Sequence, residues 1–177
     1  MKDQIIHHGA INGVTGSCHE LQWLDSNNQK QAILIDCGLF QGAEVSGNGA
    51  DSNQLEIEFP INHIQALVVT HVHIDHVGRI PYLLAEGIDK PIYCSEPSSE
   101  LLPLVLEDAL KIGFTLNKRL VKQFINKIQS LIRPVPYGEW QNLLERDVYS
   151  TGNDIKIRLS PAGHILGSAY IEINTVT

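Results

Sequence analysis

The feature that most constrains this 177-residue chain is the apolar run Ala66-Leu67-Val68-Val69, which delivers the backbone straight into Thr70-His71-Val72-His73-Ile74-Asp75-His76. The run is short, rich in valine and apolar at every position, as expected of a strand covered on both faces rather than half exposed. The H-x-H-x-D-H that follows packs three imidazoles and a carboxylate into six positions. With 8 histidines in the chain, shuffling the composition gives this pattern in roughly 8 of 10,000 trials, so the cluster needs a chemical reason.

Metal binding supplies one. In extended backbone, side chains two apart point the same way, so His71 and His73 are placed to grip one ion. The chain then turns, and Asp75 with His76 can face a neighbouring ion. Imidazole and carboxylate donors without thiolate suit Zn²⁺, with Mn²⁺ or Fe²⁺ as alternatives. His164, in the loop Pro161-Ala162-Gly163-His164-Ile165-Leu166-Gly167-Ser168, would complete a three-histidine set with His71 and His73; taken alone, a loop histidine is more often merely exposed. Asp36 ends the run Ala32 to Asp36, where its carboxylate either accepts a ring N–H or loop amide and holds the metal loop in shape, or simply caps a turn.

Around these residues the pattern alternates between β and α. Residues 17–24 and 31–36 read as a hairpin closed by Asp25-Ser26-Asn27-Asn28, since asparagine tolerates the positive φ of a tight turn. Residues 41–54 are glycine-rich without an apolar period and read as a surface loop. Ile80 to Ala85 is expected to be helical, with Pro81 in the first turn and a stop at Gly87. Ser98 is expected to cap a helix carrying Leu101, Leu102, Val105, Leu106 and Ala109. A second helix over about 116–132 aligns Leu116, Leu120, Phe124 and Ile128, with Val121, Ile125 and Ile132 alongside. Pro134 and Pro136 are expected to end that region, and strands over 155–160 and 168–174 flank the His164 loop. Strands, then helices, then strands argue for an α/β layered fold with the chemistry in loops at one sheet edge.

Composition narrows the partners. The formal charge of −7 gives no general attraction to a polyanion. From Leu110 to Gly138, however, Lys111, Lys118, Arg119, Lys122, Lys127 and Arg133 occur without an acid, either as a phosphate-tracking face or as the solvated side of an amphipathic helix. Cys18, Cys37 and Cys94 form neither a disulfide framework nor a CxxC pair, and no apolar run approaches membrane-spanning length. A cytoplasmic location without a membrane partner is therefore expected. His7, His8, His19 and His63 lack ligand spacing, and Trp23 and Trp140 read as core or edge aromatics; no chemistry is assigned to them.

Four segments together, Gly13-Val14-Thr15-Gly16-Ser17, Asp36-Cys37-Gly38-Leu39-Phe40-Gln41-Gly42, residues 71–83 (HVHIDHVGRIPYL) and residues 161–169 (PAGHILGSA), closely resemble the β-CASP branch of the metallo-β-lactamase superfamily, the RNA-processing nucleases. The resemblance spans about residues 9–173. It implies an αββα sandwich with His71, His73 and His164 on a first zinc and Asp75 and His76 on a second. Asp36 would be the orienting aspartate, and Asp36 and Asp75 the carboxylates of the catalytic set. In such enzymes up to two metals activate a water for attack on a phosphodiester, with RNA, or single-stranded DNA, as partner.

The family's bridging aspartate, its acid-base histidine and a last metal-binding histidine have no counterpart in residues 1–177. The chain is therefore expected to be the N-terminal part of a lactamase-like domain, holding one metal firmly at most, weak or inactive as a nuclease alone, and prone to self-association or to pairing with a complementary half. The competing readings are a small-molecule hydrolase of the same superfamily, a thioesterase or lactonase, and a non-catalytic metal-binding assembly subunit.

Overall fold

In the computed structural model, residues 3–11, 13–41, 55–114, 117–143 and 155–175 are described. A mixed six-stranded sheet is built from β1 (Gln4–His7), β2 (His19–Leu24), β3 (Lys30–Ile35), β4 (Ile64–Val68), β5 (Ile92–Ser95) and β6 (Ile132–Val135), paired in that order. The first three are antiparallel, and β3 to β6 run parallel. The crossovers carry α1 (Ile74–Val77), α2 (Ile80–Ala85), α3 (Glu96–Ala109), a π-helical turn (Leu110–Phe114) and α4 (Lys118–Leu131). A second, antiparallel sheet orders β7 (Trp140–Asn142), β8 (Ile155–Pro161) and β9 (Ala169–Thr175).

Period-two alternation in the central strands explains the layering. Ala32, Leu34, Leu67, Ile92 and Cys94 point into a core shared with Leu83, Leu102, Leu106, Val121 and Ile128 of the helices. Ile64 joins them because a register irregularity between Ala32 and Ile33 breaks the alternation at the start of β4. Their neighbours Ile33, Ala66, Val68 and Tyr93 point the other way, onto Ile155, Ile157 and Leu159 of the second sheet. Both faces are dry, as the unbroken apolar run of β4 predicts. Fully burying one such side chain contributes about 1.5–3 kcal/mol, so the two cores fix which face each strand turns inward. The order helices, sheet, sheet is an α/β fold and matches three layers of the expected sandwich; helices outside the second sheet have no counterpart among the described residues.

The expected hairpin is present, with Asn28 at φ 62° in its turn, and α2 starts with Pro81 in its first turn. Several local expectations need correction. The N-cap of α3 is Ser95, whose Oγ accepts from the Ser98 amide at 3.3 Å; Ser98 lies inside the first turn and is buried. Glu96 and Pro97 suit the helix start, because proline there loses no hydrogen bond. In α4, capped by Asn117, the buried stripe is Val121, Ile125, Ile128 and Leu131, while Leu120 is exposed.

Pro134 does not end the region but lies within β6, which pairs only with β5 at the sheet edge, where a missing N–H is tolerated. Strands β1, β5, β6 and β7 are additions to the elements read from sequence. Of the expected 41–54 loop, residues 42–54 lie outside the described residues, as does Leu116.

Candidate metal centre

Parallel pairing of β3, β4 and β5 brings their carboxyl ends to one edge of the sheet, the usual place for ligands in α/β folds. Asp36 follows β3, the segment from Thr70 to His76 follows β4, and Ser95 closes β5. The second sheet brings His164 to the same edge. The Ala169 amide donates to the Thr70 carbonyl at 2.8 Å, and the Ser95 and Ser98 hydroxyls donate to the Gly167 carbonyl at 2.6 and 3.0 Å. Gly167 has φ +86°, and a Cβ there would sit 2.5 Å from Ser98 Oγ. Ser168 Oγ accepts from the His164 and Ile165 amides, closing the loop around the histidine.

The result is a convergence of three imidazoles. Ring centroids of His71, His73 and His164 are each 4.9 Å from the other two, and one nitrogen from each lies within 4.8 Å of the others, a set able to hold a metal ion. His164 Nε2 stands 3.2 Å from His73 Nδ1. Two nitrogens each about 2.0–2.1 Å from a tetrahedral zinc are about 3.3 Å apart, so the observed spacing fits such an ion.

Hydrogen bonds set the direction of the lone pairs. The Thr70 amide donates to Asp36 Oδ1 and the Thr70 hydroxyl to Asp36 Oδ2, both at 2.8 Å. Having given its proton, that hydroxyl accepts from His71 Nδ1 at 3.0 Å. His71 therefore carries its proton on Nδ1 and turns a bare Nε2 toward the cluster, and that buried Nε2 has no hydrogen-bond partner. A buried nitrogen lone pair without a donor is costly; among the described residues Arg79 Nη2 is the one other buried side-chain nitrogen or oxygen without a hydrogen-bond partner. An ion between the histidines would satisfy the His71 nitrogen.

Asp36 also accepts from His76 Nδ1 at 2.7 Å and from Ser17 Oγ at 3.2 Å. The carboxylate is 1% exposed, and the residue adopts φ +59°, an uncommon conformation held by its amide bond to the Val68 carbonyl. The carboxylate thus accepts both a loop amide and a ring N–H, more than a plain turn cap does. Asp75 lies beside His76, with Oδ2 3.8 Å from Nε2.

Burial and the position of the Asp36 carboxylate separate the electrostatics of neighbouring imidazoles. Burial, then the adjacent His76, push His71 down to about 4. Burial also opposes charge on His76, but the hydrogen bond and charge of Asp36, with Asp75 nearby, raise it above the ordinary value.

Several supporting residues carried no individual signal in the sequence. The buried Arg79 donates from Nε to the Gly38 carbonyl at 2.7 Å and from its amide to the Cys37 carbonyl, clamping the turn after Asp36. Gly38 is required because a Cβ would overlap the Asp75 carbonyl. Elsewhere, the buried Glu20 accepts from His8 Nε2 at 2.6 Å, His63 Nε2 at 2.5 Å and Gln22 Nε2 at 2.6 Å, so His8 and His63 tie β1 and the entry to β4 onto β2. Trp23 is buried in the core and Trp140 is an edge residue of β7.

Comparison with known proteins shows the family. The Metallo-beta-lactamase superfamily pattern matches residues 18–168, and the chain belongs to that superfamily. Among its relatives, Ribonuclease TTHA0252 of Thermus thermophilus is 34% identical over 169 residues, covering 95% of this chain and 34% of that protein. Transcription termination factor FttA of Methanosarcina mazei is 33% identical over 171 residues, covering 95% of this chain and 25% of that protein. The chain thus spans a quarter to a third of the length of these relatives. A solved structure described as a B3 metallo-beta-lactamase with an active-site glutamic acid overlays with TM-score 0.48 at 18% identity, covering 93% of this chain and 53% of that one.

Proposed function

We propose that this chain carries the metal-binding part of a β-CASP-type nuclease, a hydrolase of RNA phosphodiester bonds. The observation that carries the reading is the meeting of His71, His73 and His164 with the bare, buried Nε2 of His71 turned inward. The donor set suits Zn²⁺, with Mn²⁺ or Fe²⁺ as alternatives; Asp75 and His76 stand ready as ligands of a second ion. When bound, such an ion supplies Lewis-acid polarisation of a phosphoryl oxygen and a water of lowered pKa.

The chain's own residues do the rest. Asp36 fixes His76 through Nδ1, and Thr70 relays the same carboxylate to His71, so in each ring Nδ1 is committed to a hydrogen bond and Nε2 is the nitrogen left for an ion. Asp75, half-buried beside His76, adds negative charge where a second cation would lie.

Support for RNA as substrate comes from the relatives, one named a ribonuclease and one a transcription termination factor. Because those proteins are three to four times longer, the full activity is proposed for a longer protein in which this chain forms the first part of the lactamase-like domain. A complementary polypeptide or a second copy would serve the same need, and a cytoplasmic setting suits three buried free cysteines. The test is a substrate panel on the full-length, zinc-loaded protein: a labelled oligoribonucleotide is cleaved, and cleavage is lost in His73→Ala. Ester or thioester turnover without RNA cleavage would overturn the reading.

A further inference from the structure

A cavity of about 350 Å³ opens between the end of α3 and α4, lined by Glu107, Lys111, Lys118, Val121, Lys122 and Ile125. Glu107 is twelve residues along α3 from Ser95, roughly 18 Å at 1.5 Å per residue, so the cavity is set well apart from the metal centre. Its floor is apolar, since Val121 and Ile125 are 4% and 9% exposed. Three ammonium groups stand around that floor. Among the described residues, Lys111 alone of the three has an acidic partner, Glu107 at 2.7 Å.

The placement of the other two is unfavourable by itself. Lys118 and Arg119 open α4 with no acidic residue in its first turn, although the positive end of the helix dipole lies there. Lys118 and Lys122 are one helical turn apart and therefore on the same face. An anion in the cavity would relieve this concentration of positive charge. The volume is in the range of small-ligand sites, and an apolar floor with a cationic rim suits a flat ring carrying a phosphate.

The geometry points to a second, metal-independent site in which Lys118 and Lys122 hold the phosphate of one nucleotide of an RNA strand while its base lies on Val121 and Ile125. This rests on the nuclease reading for the identity of the strand, but not on metal binding. Electrostatic attraction would be local, because the remainder of the chain is strongly acidic.

The test uses the 177-residue chain treated with chelator and a 5′-labelled twelve-nucleotide oligouridylate, read by fluorescence anisotropy across a salt series. Lys118→Gln with Lys122→Gln is compared with Arg119→Gln with Arg133→Gln, which removes equal charge outside the cavity; Lys127 is left in place because it pairs with Asp89 at 2.6 Å. All four side chains are exposed, so both variants are expected to fold. The cavity pair should weaken binding about tenfold and lower the log–log salt slope by about 1 to 2, and the control pair less than twofold. Equal losses in the two variants, equal competition by poly-glutamate, or no binding by the unaltered chain would overturn the proposal. Zinc uptake by the same proteins, measured by calorimetry, reports separately on the metal centre, so failure of one reading is distinguishable from failure of the other.

Discussion

The Ser95 hydroxyl donates to the Gly167 carbonyl at 2.6 Å, joining the carboxyl end of a parallel strand to the loop that presents His164. The two residues are 72 apart in sequence; Ser95 ends a strand of the first sheet and Gly167 lies in the loop between two strands of the second. The histidine cluster therefore depends on how the two sheets dock, and not only on the local histidine motif.

Gly167→Ala places a Cβ against Ser98 Oγ and forces φ +86° on an alanine. The conformational term alone is about 1–2 kcal/mol, and the loop must shift, carrying His164 away from His71 and His73. Zinc affinity should fall 10- to 100-fold, with circular dichroism showing the fold retained. Ser95→Ala should lose about 1 kcal/mol from the helix cap and weaken zinc in the same direction.

Thr70→Val keeps side-chain volume while deleting the hydroxyl that donates to Asp36 and accepts from His71. The His71 Nδ1–H is left without an acceptor, at about 1–3 kcal/mol, and the ring is free to turn. Zinc binding measured by competition with a chromophoric chelator should weaken at least tenfold, whereas Thr70→Ser should restore most of it.

The central hairpin, β4, β8, β9 and the histidine cluster were legible because each is a local signal: period-two alternation, turn asparagines, and ligand types at close spacing. Strands β5 and β6 were not, because each is four residues long and β6 emerges from α4 with no linker, so Ile132 reads equally well as the end of a helical stripe. Ser98 mimicked a cap because it, like Ser95 three residues earlier, precedes the apolar helical period; inside the first turn its hydroxyl bonds Gly167 instead. Leu120 followed the helical period yet points outward, since α4 buries the stripe one residue further on. His164 was found through its glycine-flanked loop, but Thr70, which joins Asp36 to His71, has no signature outside three dimensions.

Glu20 gives the fold a calculable acid response. Burial opposes its charge, and donors from His8, Gln22 and His63 overcome that, holding the carboxyl at about 2 against an ordinary value of 4.5. A depressed folded-state value stabilises the protein fully above about pH 5, and this contribution is lost as pH falls toward 2. Its size is on the order of 3 kcal/mol. Urea midpoints measured from pH 7 to 2.5 should fall steeply below pH 5, and less so in Glu20→Gln, which starts lower at pH 7. Parallel curves for the two proteins would contradict the assignment.

Ile33 is fully buried between the two sheets. Ile33→Ala should cost about 2–5 kcal/mol and, because it loosens the docking of β8 against β3, should also weaken zinc binding. Leu106→Ala, buried in the helix-side core, should cost a similar amount of stability with little effect on zinc at temperatures where the chain stays folded.

If His71, His73 and His164 hold a metal, the zinc stoichiometry of the purified 177-residue chain, measured by elemental analysis after dialysis and by titration calorimetry, is one firmly bound ion per chain, lost in His71→Ala and in His164→Ala. No retained zinc in the unaltered chain, or two tightly held ions that survive His164→Ala, would contradict this reading.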